Sequence, residues 1–473
     1  MFSFIFLKKN MQIKISFLLC GIVLLTKIIA VYNTNFDLFG DEAQYWMWSQ
    51  NPDLGYYSKP PLLAWLITFI TLIFGDSFET LKLISISMYI LTSIAVYLIF
   101  KQLYQDKNGA ILAGLTFYLL PGATVSSFLV STDILLVFFW SLSLLFLLKI
   151  RGNPSIINFV LLGIFVGLSF LAKYAAVYFI LSIVLICFID PRLKKIFLEK
   201  LIYVIIFLFS VIVIVLPNII WNTQNGWVTL IHTSDNAALN RVDINLVQGF
   251  EFVLVQALML GPILFIFFFL TYKKIRLTFE TKFLLTFCVP VLTIIMIESI
   301  LVRANANWAA VALISLFILF FHHTYLLSKK TIKLNMFVNF IFGVLFFGLI
   351  AKTSSINIFN RINGISSFSS YLEKTHMING NILVVGDRLL FSNLKYLFKN
   401  DEIAMFSPHA PNTRITSQLH LTLPLLPTIN ENFILIGHPK QIKYLQNKFN
   451  IRKIDSQKVV FKNAPIEIYE VVF

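Results

Sequence analysis

The chain has 473 residues, of which 58% are apolar and 13% are charged, and its mean hydropathy is +0.81. A soluble domain is about 45–50% apolar and about 25% charged, so this composition excludes a water-soluble globular protein and a disordered one. The formal net charge of +15 would suit a nucleic-acid-binding protein, so the placement of the basic residues has to be considered. The composition predicts a polytopic α-helical membrane protein.

Eleven apolar runs are predicted to be membrane-spanning helices, on the criterion of about 20 mostly apolar residues per span. They lie at residues 15–32, 80–100, 109–128, 132–148, 155–171, 174–189, 201–220, 249–272, 281–300, 308–327 and 335–352. A further apolar run, Pro61 to Phe74, is only 14 residues long and begins with two prolines. We expect it to lie at the membrane interface or to re-enter it, because it is too short to span the bilayer.

Basic residues are distributed unevenly between the two sets of loops that these spans define. Eighteen lie in loops on one side, and five lie on the other: Lys59, Lys82, Lys173, Arg241 and Arg303. The positive-inside rule then places the N-terminus in the cytoplasm, and an odd number of spans places the C-terminal segment outside it. Most of the basic charge is therefore a topology signal, and we expect no nucleic-acid partner.

The pattern changes after residue 352, which predicts two domains. Residues 1–352 form a transmembrane module whose first extracytoplasmic loop covers 33–79, and residues 353–473 form a small extracytoplasmic α/β domain. Strands are predicted at Asn381–Gly386, Asn432–Gly437 and Ile466–Phe473, with helices at Arg388–Phe398 and Gln441–Phe449.

The first extracytoplasmic loop carries the most distinctive residues. Asp41 and Glu42 open an aromatic-rich stretch that contains Tyr45, and Lys59 precedes two prolines that stiffen the backbone. A lysine held near paired acids at a bilayer surface could bind a phosphate while one acid acts as a base. Capping of a helix by Asp41 is the structural alternative.

The run GDEAQYWMWSQNPDLGYYSKPPLLAWL resembles the first outer loop of the GT-C membrane glycosyltransferases. That superfamily includes the protein O-mannosyltransferases and the lipid A aminoarabinose and galacturonic acid transferases. Shorter similar segments are Ser131–Asp133, Leu171–Tyr174, Pro217–Asn222 with the following His232, and Asn305–Ala310. One position departs from the pattern, because Gln44 stands where the aminoarabinose transferases carry arginine. The contact that this arginine makes is then lost or supplied from elsewhere.

The resemblance implies an inverting glycosyltransferase that moves a sugar from a polyprenyl-phosphate donor to an extracytoplasmic acceptor, such as lipid A or another cell-envelope glycan. Asp41 would be the base or would orient an already ionised acceptor, and Glu42 would support it. Phosphate binding is assigned to Lys59, Lys173 and Arg303, and substrate binding to Tyr45, Tyr57, Asp133 and His232. Asp41 and Glu42 could also help to hold a divalent metal ion, and the need for a metal stays open.

Several structural alternatives accompany these roles. Asp133 could cap a helix, Lys173 could end one, and His232 could be a bystander in an aqueous loop. A transporter or flippase of lipid-linked sugars is the alternative function, and a protein O-mannosyltransferase is the alternative within the class. The expected location is a bacterial inner membrane, with membrane lipids as partners. The transferred sugar and the acceptor are not determined by the sequence.

Overall fold

The computed structural model describes residues 2–237, 242–352, 356–376 and 382–473. The membrane module consists of 18 α-helices within these ranges. They are α1 (Phe2–Asn33), α2 (Gly40–Ser49), α3 (Leu62–Phe74), α4 (Phe78–Tyr104), α5 (Lys107–Leu119), α6 (Pro121–Ser126), α7 (Thr132–Gly152), α8 (Ile156–Ala172), α9 (Val177–Ile189), α10 (Pro191–Glu199), α11 (Leu201–Gln224), α12 (Val228–Ala237), α13 (Leu246–Leu260), α14 (Pro262–Thr271), α15 (Phe279–Thr286), α16 (Val289–Leu301), α17 (Ala310–Leu327) and α18 (Lys329–Ala351). Single 3₁₀ turns lie at Tyr174–Ala176, Tyr272–Lys274 and Ala306–Ala309.

The helices confirm an integral membrane protein but not the predicted count of eleven spans. In the described part of the chain, seven helices are long and apolar enough to cross a membrane, or nine if each of two bent pairs counts as one span. The predicted span at 174–189 is the first part of one bent pair, which turns by 109° before Pro191–Glu199, and the predicted span at 249–272 covers the other pair, which turns by 106°. The predicted span at 109–128 is divided at Leu120 into α5 and α6, and the one at 155–171 is the 17-residue α8.

Proline explains these interruptions. Pro121, Pro191 and Pro262 each occupy the first turn of the helix that follows a break. A proline has no N–H to donate and clashes with the preceding turn, so a long apolar run stops there and restarts in a new direction. Gly261 contributes a left-handed φ of 88° to the turn between α13 and α14.

The C-terminal residues form an α/β unit around one mixed sheet. Its helices are α19 (Ile365–His376), α20 (Arg388–Leu397) and α21 (Gln418–Thr422), with 3₁₀ turns at Asn357–Ile362 and Pro439–Leu445. Its strands are β1 (Ile382–Val385), β2 (Ala404–Pro408), β3 (Pro424–Leu425), β4 (Phe433–Ile436), β5 (Asn450–Gln457) and β6 (Ile466–Val472), in the order β3-β2-β1-β4-β6-β5. Strands β1, β2, β3 and β4 run parallel, and β6 is antiparallel to both β4 and β5.

The predicted strands are confirmed as β1, β4 and β6, and the predicted helix at Arg388–Phe398 is α20. These strands are buried on both faces: Leu383 and Ile436 pack in one apolar cluster, whereas Val384 and Leu435 pack in another. The segment at Gln441–Phe449 is not the predicted helix, because only a 3₁₀ turn forms over Pro439–Leu445. The predicted domain boundary at residue 353 lies outside the described residues.

Asp37, in the segment between α1 and α2, joins the membrane module to the α/β unit. Its buried carboxylate accepts hydrogen bonds from the backbone N–H groups of Ile365 and Ser366, at 2.7 and 3.0 Å, and from the Ser366 hydroxyl. These N–H groups belong to the first turn of α19, which has no intrahelical partner for them. The aspartate therefore caps a helix that is more than 300 residues distant in the chain.

Helix α2 packs directly against α20 of the α/β unit. A Cβ atom at Gly40 would lie 2.7 Å from the Cβ of Leu389, so the two backbones approach at a distance that only glycine permits. At the other end of the contact, the rings of Trp46 and Tyr396 meet edge to face, with centroids 4.9 Å apart. The Lys399 ammonium adds an interaction with the Asp76 carbonyl oxygen at 2.7 Å.

The orientation of α2 is set by a buried ion pair between Glu42 and Lys82. The Lys82 ammonium lies 2.7 and 2.6 Å from the two carboxylate oxygens of Glu42, and the two side chains are 1% and 2% exposed. The carboxylate also accepts the N–H groups of Phe39, at 2.8 Å, and Val130, at 2.6 Å. Lys82 lies within α4, so its predicted position on an outer loop is wrong.

The capping role of Asp37 leads to a first prediction. Replacing Asp37 with alanine should lower the free energy of unfolding by about 1 kcal/mol or more, since an N-cap is lost and its N–H groups stay buried. Thermal unfolding of the full chain in detergent would measure this. Asp37→Asn keeps one acceptor oxygen, so its free energy of unfolding should decrease by less. An equal decrease in both variants would contradict the capping role.

The Glu42–Lys82 pair leads to a second prediction. Glu42→Gln leaves a buried ammonium without its counter-charge, so we expect it to lower the free energy of unfolding by about 3–5 kcal/mol. The double variant Glu42→Gln, Lys82→Met removes both charges and should recover most of that loss. Chemical unfolding of the detergent-solubilised protein would compare them, and a double variant no more stable than the single one would refute the coupling.

Candidate active site

A cavity of about 320 Å³ opens between the segment that connects α1 to α4 and the ends of several helices. The residues that line one part of it are of acidic, basic, amide and aromatic types: Asp41, Glu42, Tyr45, Lys59, Tyr89, Asp133, Lys173, Asn305, Asn307 and Trp308. Apolar residues from the breaks at Leu120 and Leu260 line another part. The two interrupted helices thus contribute to the wall of the same cavity that the acidic residues face.

Asp41 presents a carboxylate to this cavity. It lies in the first turn of α2, and its carboxylate makes no hydrogen bond or ion pair with any described residue. Adjacent residues in a helix point about 100° apart. For this reason Asp41 faces the cavity while Glu42 is turned toward Lys82, although the two acids are neighbours in the sequence.

Asp133 is fixed in place by two partners. The Lys173 ammonium donates to its Oδ1 at 2.7 Å, and the Asn307 amide donates to its Oδ2 at 2.7 Å. Asp133 lies in the first turn of α7, Lys173 follows the last residue of α8, and Asn307 precedes α17. Three segments distant in the sequence therefore meet at one carboxylate. The pairing of Asp133 with Asn307 was not predicted.

Lys59 supplies a cation that has no acidic partner among the described residues. It lies in a tight turn in which the Tyr56 N–H donates to the Lys59 carbonyl oxygen at 3.2 Å, and two prolines follow it. In the described ranges its ammonium forms no hydrogen bond or ion pair. Burial lowers the pKa of Lys59, the nearby Lys173 lowers it further, and Asp133 and Asp41 oppose the shift. A desolvated, unpaired ammonium beside a second cation favours an anionic ligand.

Tyr45 completes the polar wall, whereas Tyr57 and His232 lie beside it. Tyr45 is buried one turn after Asp41 and lines the cavity. Tyr57 donates its N–H to the Gln418 side chain at 2.7 Å, and its ring lies 4.8 Å from that of His232. Burial, together with the charges of Lys59 and Arg388, lowers the pKa of His232 to about 4, so this imidazole is neutral at pH 7.

One predicted phosphate ligand, Arg303, is not brought into the cavity. Arg303 is exposed in the loop after α16 and does not line the cavity, although Asn305 and Asn307 nearby do. Arg241 lies outside the described residues. Lys59 and Lys173 are therefore the basic side chains that the structure places at the cavity wall.

The acidic pair does not have the donor set of a divalent metal site. A carboxylate offers about four lone-pair positions. The oxygens of Glu42 accept two contacts from the Lys82 ammonium and two from backbone N–H groups, so they are fully used. No cluster of three or more His, Cys, Asp or Glu side chains suited to a metal occurs in the described part of the chain. The suggested Asp41–Glu42 metal site does not fit this geometry.

Position 44 holds glutamine where the aminoarabinose transferases carry arginine, and an arginine of the α/β unit lies beside it. Gln44 is buried, and its side-chain oxygen accepts a hydrogen bond from Nη1 of Arg388 at 2.7 Å. The two residues are 344 positions apart. No local pattern in the sequence could have related them, since only the packing of α20 on α2 brings them together.

Comparison with known proteins identifies the fold and a relative. Residues 58–221 match the family model for dolichyl-phosphate-mannose-protein mannosyltransferases. A lipid A galacturonosyltransferase, RgtD, of Rhizobium johnstonii is 33% identical over 314 residues, which are 66% of this chain and 65% of that protein. This chain therefore aligns with slightly less than two thirds of its relative.

Crystal structures of ArnT from Cupriavidus metallidurans have the same fold over almost the whole length. The apo form and the form bound to undecaprenyl phosphate each superpose with a TM-score of 0.64, covering 96% of this chain and 97% of ArnT at 11% identity. At that identity the similarity establishes the fold alone. The family match over residues 58–221 and the partial alignment with RgtD add similarity in sequence to two kinds of glycosyltransferase.

Proposed function

We propose that the protein transfers a sugar from a polyprenyl-phosphate donor to an acceptor at the extracytoplasmic face of a bacterial inner membrane. One observation carries this proposal: the Asp41 carboxylate and the Lys59 ammonium, neither of which pairs with another described residue, line the same cavity. The resemblance to ArnT, which is known in a complex with undecaprenyl phosphate, supports the class of donor. The N-terminus is then cytoplasmic and the α/β unit is extracytoplasmic.

Lys59 and Lys173 are the proposed ligands of the donor phosphate. A sugar polyprenyl phosphate is a phosphodiester with one negative charge, and the polyprenyl phosphate that leaves is a monoester with up to two. The charge to be stabilised therefore increases during the reaction. Cations aimed at a developing charge in a water-poor site lower the barrier more than they strengthen ground-state binding. Asp133 would orient Lys173 through their 2.7 Å contact.

The reaction that follows is a single displacement at the anomeric carbon. An acceptor oxygen attacks this carbon from the face opposite the phosphate, a new C–O bond forms, and the bond to the phosphate oxygen breaks with its electron pair. The configuration is inverted. If the acceptor is a hydroxyl group, Asp41 takes its proton; if it is an ionised phosphate, no proton moves and Asp41 only orients the nucleophile.

Glu42 contributes indirectly in this scheme. Because its oxygens are occupied by Lys82 and two backbone N–H groups, it holds α2 in place and does not contact the reactants. Tyr45 and Asp133 border the space for the sugar. Tyr57 and His232 lie farther out, on the side of the α/β unit, where they could contact the acceptor.

The sugar and the acceptor are proposed from the relative at 33% identity. RgtD is a lipid A galacturonosyltransferase, so a uronic acid and lipid A are the first donor sugar and acceptor to test. A protein acceptor is the alternative within the class. The interrupted helices at the cavity would also suit a transporter of lipid-linked sugars, and the assay below separates transfer from transport by detecting a new glycosidic bond.

The role of Asp41 leads to a third prediction. With a radiolabelled polyprenyl-phosphate sugar and lipid A in proteoliposomes, Asp41→Asn should reduce product formation by at least about 100-fold, since the base is removed. Lys59→Ala should reduce it by about 100- to 1,000-fold, the effect of removing one well-placed donor to a developing charge. Donor binding should persist in Asp41→Asn.

Arg303→Ala provides the matched control, because this exposed cation lies outside the cavity and its loss should leave transfer near the wild-type rate. Transfer that is unaffected by both Asp41→Asn and Lys59→Ala would refute the assignment of the site. Movement of the donor across the membrane without a product would support the transporter instead.

The environment of Lys59 leads to a fourth prediction, on pH. Burial and the neighbouring Lys173 lower the pKa of Lys59 from the ordinary 10.5, so its positive charge is present at low pH and is lost as pH rises through the lowered value. As pH rises, the Kd for undecaprenyl phosphate should therefore begin to increase at a lower pH than it would if Lys59 titrated like a free lysine. Lys59→Arg, which stays charged, should remove this increase. A pH profile that is identical in the two proteins would contradict the prediction.

A further inference from the structure

Arg388 is a cation that the proposed chemistry leaves unused. It is the first residue of α20, and its guanidinium donates one hydrogen bond, from Nη1 to the Gln44 side-chain oxygen at 2.7 Å. No carboxylate pairs with it in the part of the chain that the structure describes. The preceding Asp387 is not available for this purpose, because its carboxylate caps α20 and binds Lys462 at 2.6 Å.

Gln44 places this guanidinium near the proposed base. Residues three apart in a helix share a face, and Gln44 follows Asp41 by three positions in α2. Gln44 is 6% exposed, so its amide is a fixed anchor, whereas Arg388 itself is solvent-accessible. The positive charge of Arg388 also acts electrostatically on residues at the cavity and its rim, since it contributes to the lowered pKa values of Lys59 and His232.

Pairing with a neutral side chain is more typical of an arginine that binds a ligand than of an arginine that only stabilises the fold. An amide orients the guanidinium without neutralising it, so the remaining N–H donors and the full charge stay available. A planar guanidinium binds a carboxylate or a phosphate through two parallel hydrogen bonds. The contact between α20 and α2 does not depend on it, because Gly40 packs on Leu389 and Trp46 packs on Tyr396.

We propose that Arg388, carried by the α/β unit, binds a second anionic group of the reactants and thereby determines which substrates are accepted. This inference rests on the proposed function, in which Lys59 and Lys173 already bind the polyprenyl phosphate. The second anion is a carboxylate or phosphate with one of two sources, the carboxylate of a uronic acid donor or a phosphate of the lipid acceptor. The α/β unit is then part of the substrate site.

The test measures binding, so that it does not require turnover. The Kd values of the full chain in nanodiscs would be determined for four ligands: polyprenyl phosphate bearing a uronic acid, the same lipid bearing a neutral hexose, lipid A, and dephosphorylated lipid A. Arg388→Ala should raise the Kd of a charged ligand by about 10- to 100-fold, the effect of hydrogen bonds to a charged group. The matched uncharged ligand should bind with little change.

The pattern of the loss identifies the source. An effect confined to the uronic acid donor assigns the sugar carboxylate, and one confined to phosphorylated lipid A assigns the acceptor phosphate. Arg388→Lys should restore part of the affinity, because the charge returns without the planar pair of donors. Equal changes for charged and uncharged ligands, or none, would overturn the proposal.

Two further variants separate ligand binding from domain contact. Gln44→Glu keeps the shape of the anchor and pairs Arg388 with a carboxylate, so it should weaken binding of the charged ligand without lowering the unfolding temperature. A purely structural arginine would show no such weakening. Lys399→Ala removes a different contact of the α/β unit, with Asp76, and should leave all four Kd values unchanged.

Failure of the proposed function would be distinct from failure of this inference. If the wild-type protein binds the donor but forms no product with any acceptor, the assigned reaction is wrong. The four Kd values would still decide whether Arg388 discriminates charged from uncharged ligands.

Discussion

The structure of the site depends on one constraint, that the charges of Glu42 and Lys82 must neutralise each other inside the protein. Neither side chain is more than 2% exposed, and a buried charge without a partner is strongly unfavourable. Because Glu42 also accepts the N–H of Val130, the pair links α2 to α4 and to the segment that precedes α7. Asp41 and Asp133, which lie in the first turns of α2 and α7, are therefore held toward the same cavity.

This constraint separates the functions of two adjacent acids. Glu42 is saturated with donors and serves the fold, while Asp41 has no such partner in the described part of the chain and is the acid that the proposed reaction uses. Asp133 shares a feature with each of them: it lines the cavity, as Asp41 does, and its oxygens accept hydrogen bonds, from Lys173 and Asn307. Electrostatic preorganisation of this kind fixes charged groups before the substrate arrives, which is where much of a transferase's barrier reduction would originate.

The α/β unit makes several direct contacts with the membrane module, although the contacting segments are far apart in the sequence. Asp37 caps α19, Gly40 meets Leu389 in α20, and Gln44 holds Arg388. All three contacts come from the segment that carries Asp41. A movement of the unit would therefore displace the helix on which the proposed base lies.

The sequence by itself determined the membrane class, the first loop with its acids and its lysine, and the apolar strands β1, β4 and β6, because hydrophobic runs and short motifs are local. The edge strand β5, which is rich in polar residues, and β2, which ends at Pro408, were not predicted. Only the tertiary structure decided which of the two adjacent acids has no partner among the described residues, and that Arg388 reaches Gln44. These outcomes depend on partners 40 to 344 residues apart, and a buried charge selects its partner by proximity in the fold, which no local spacing encodes.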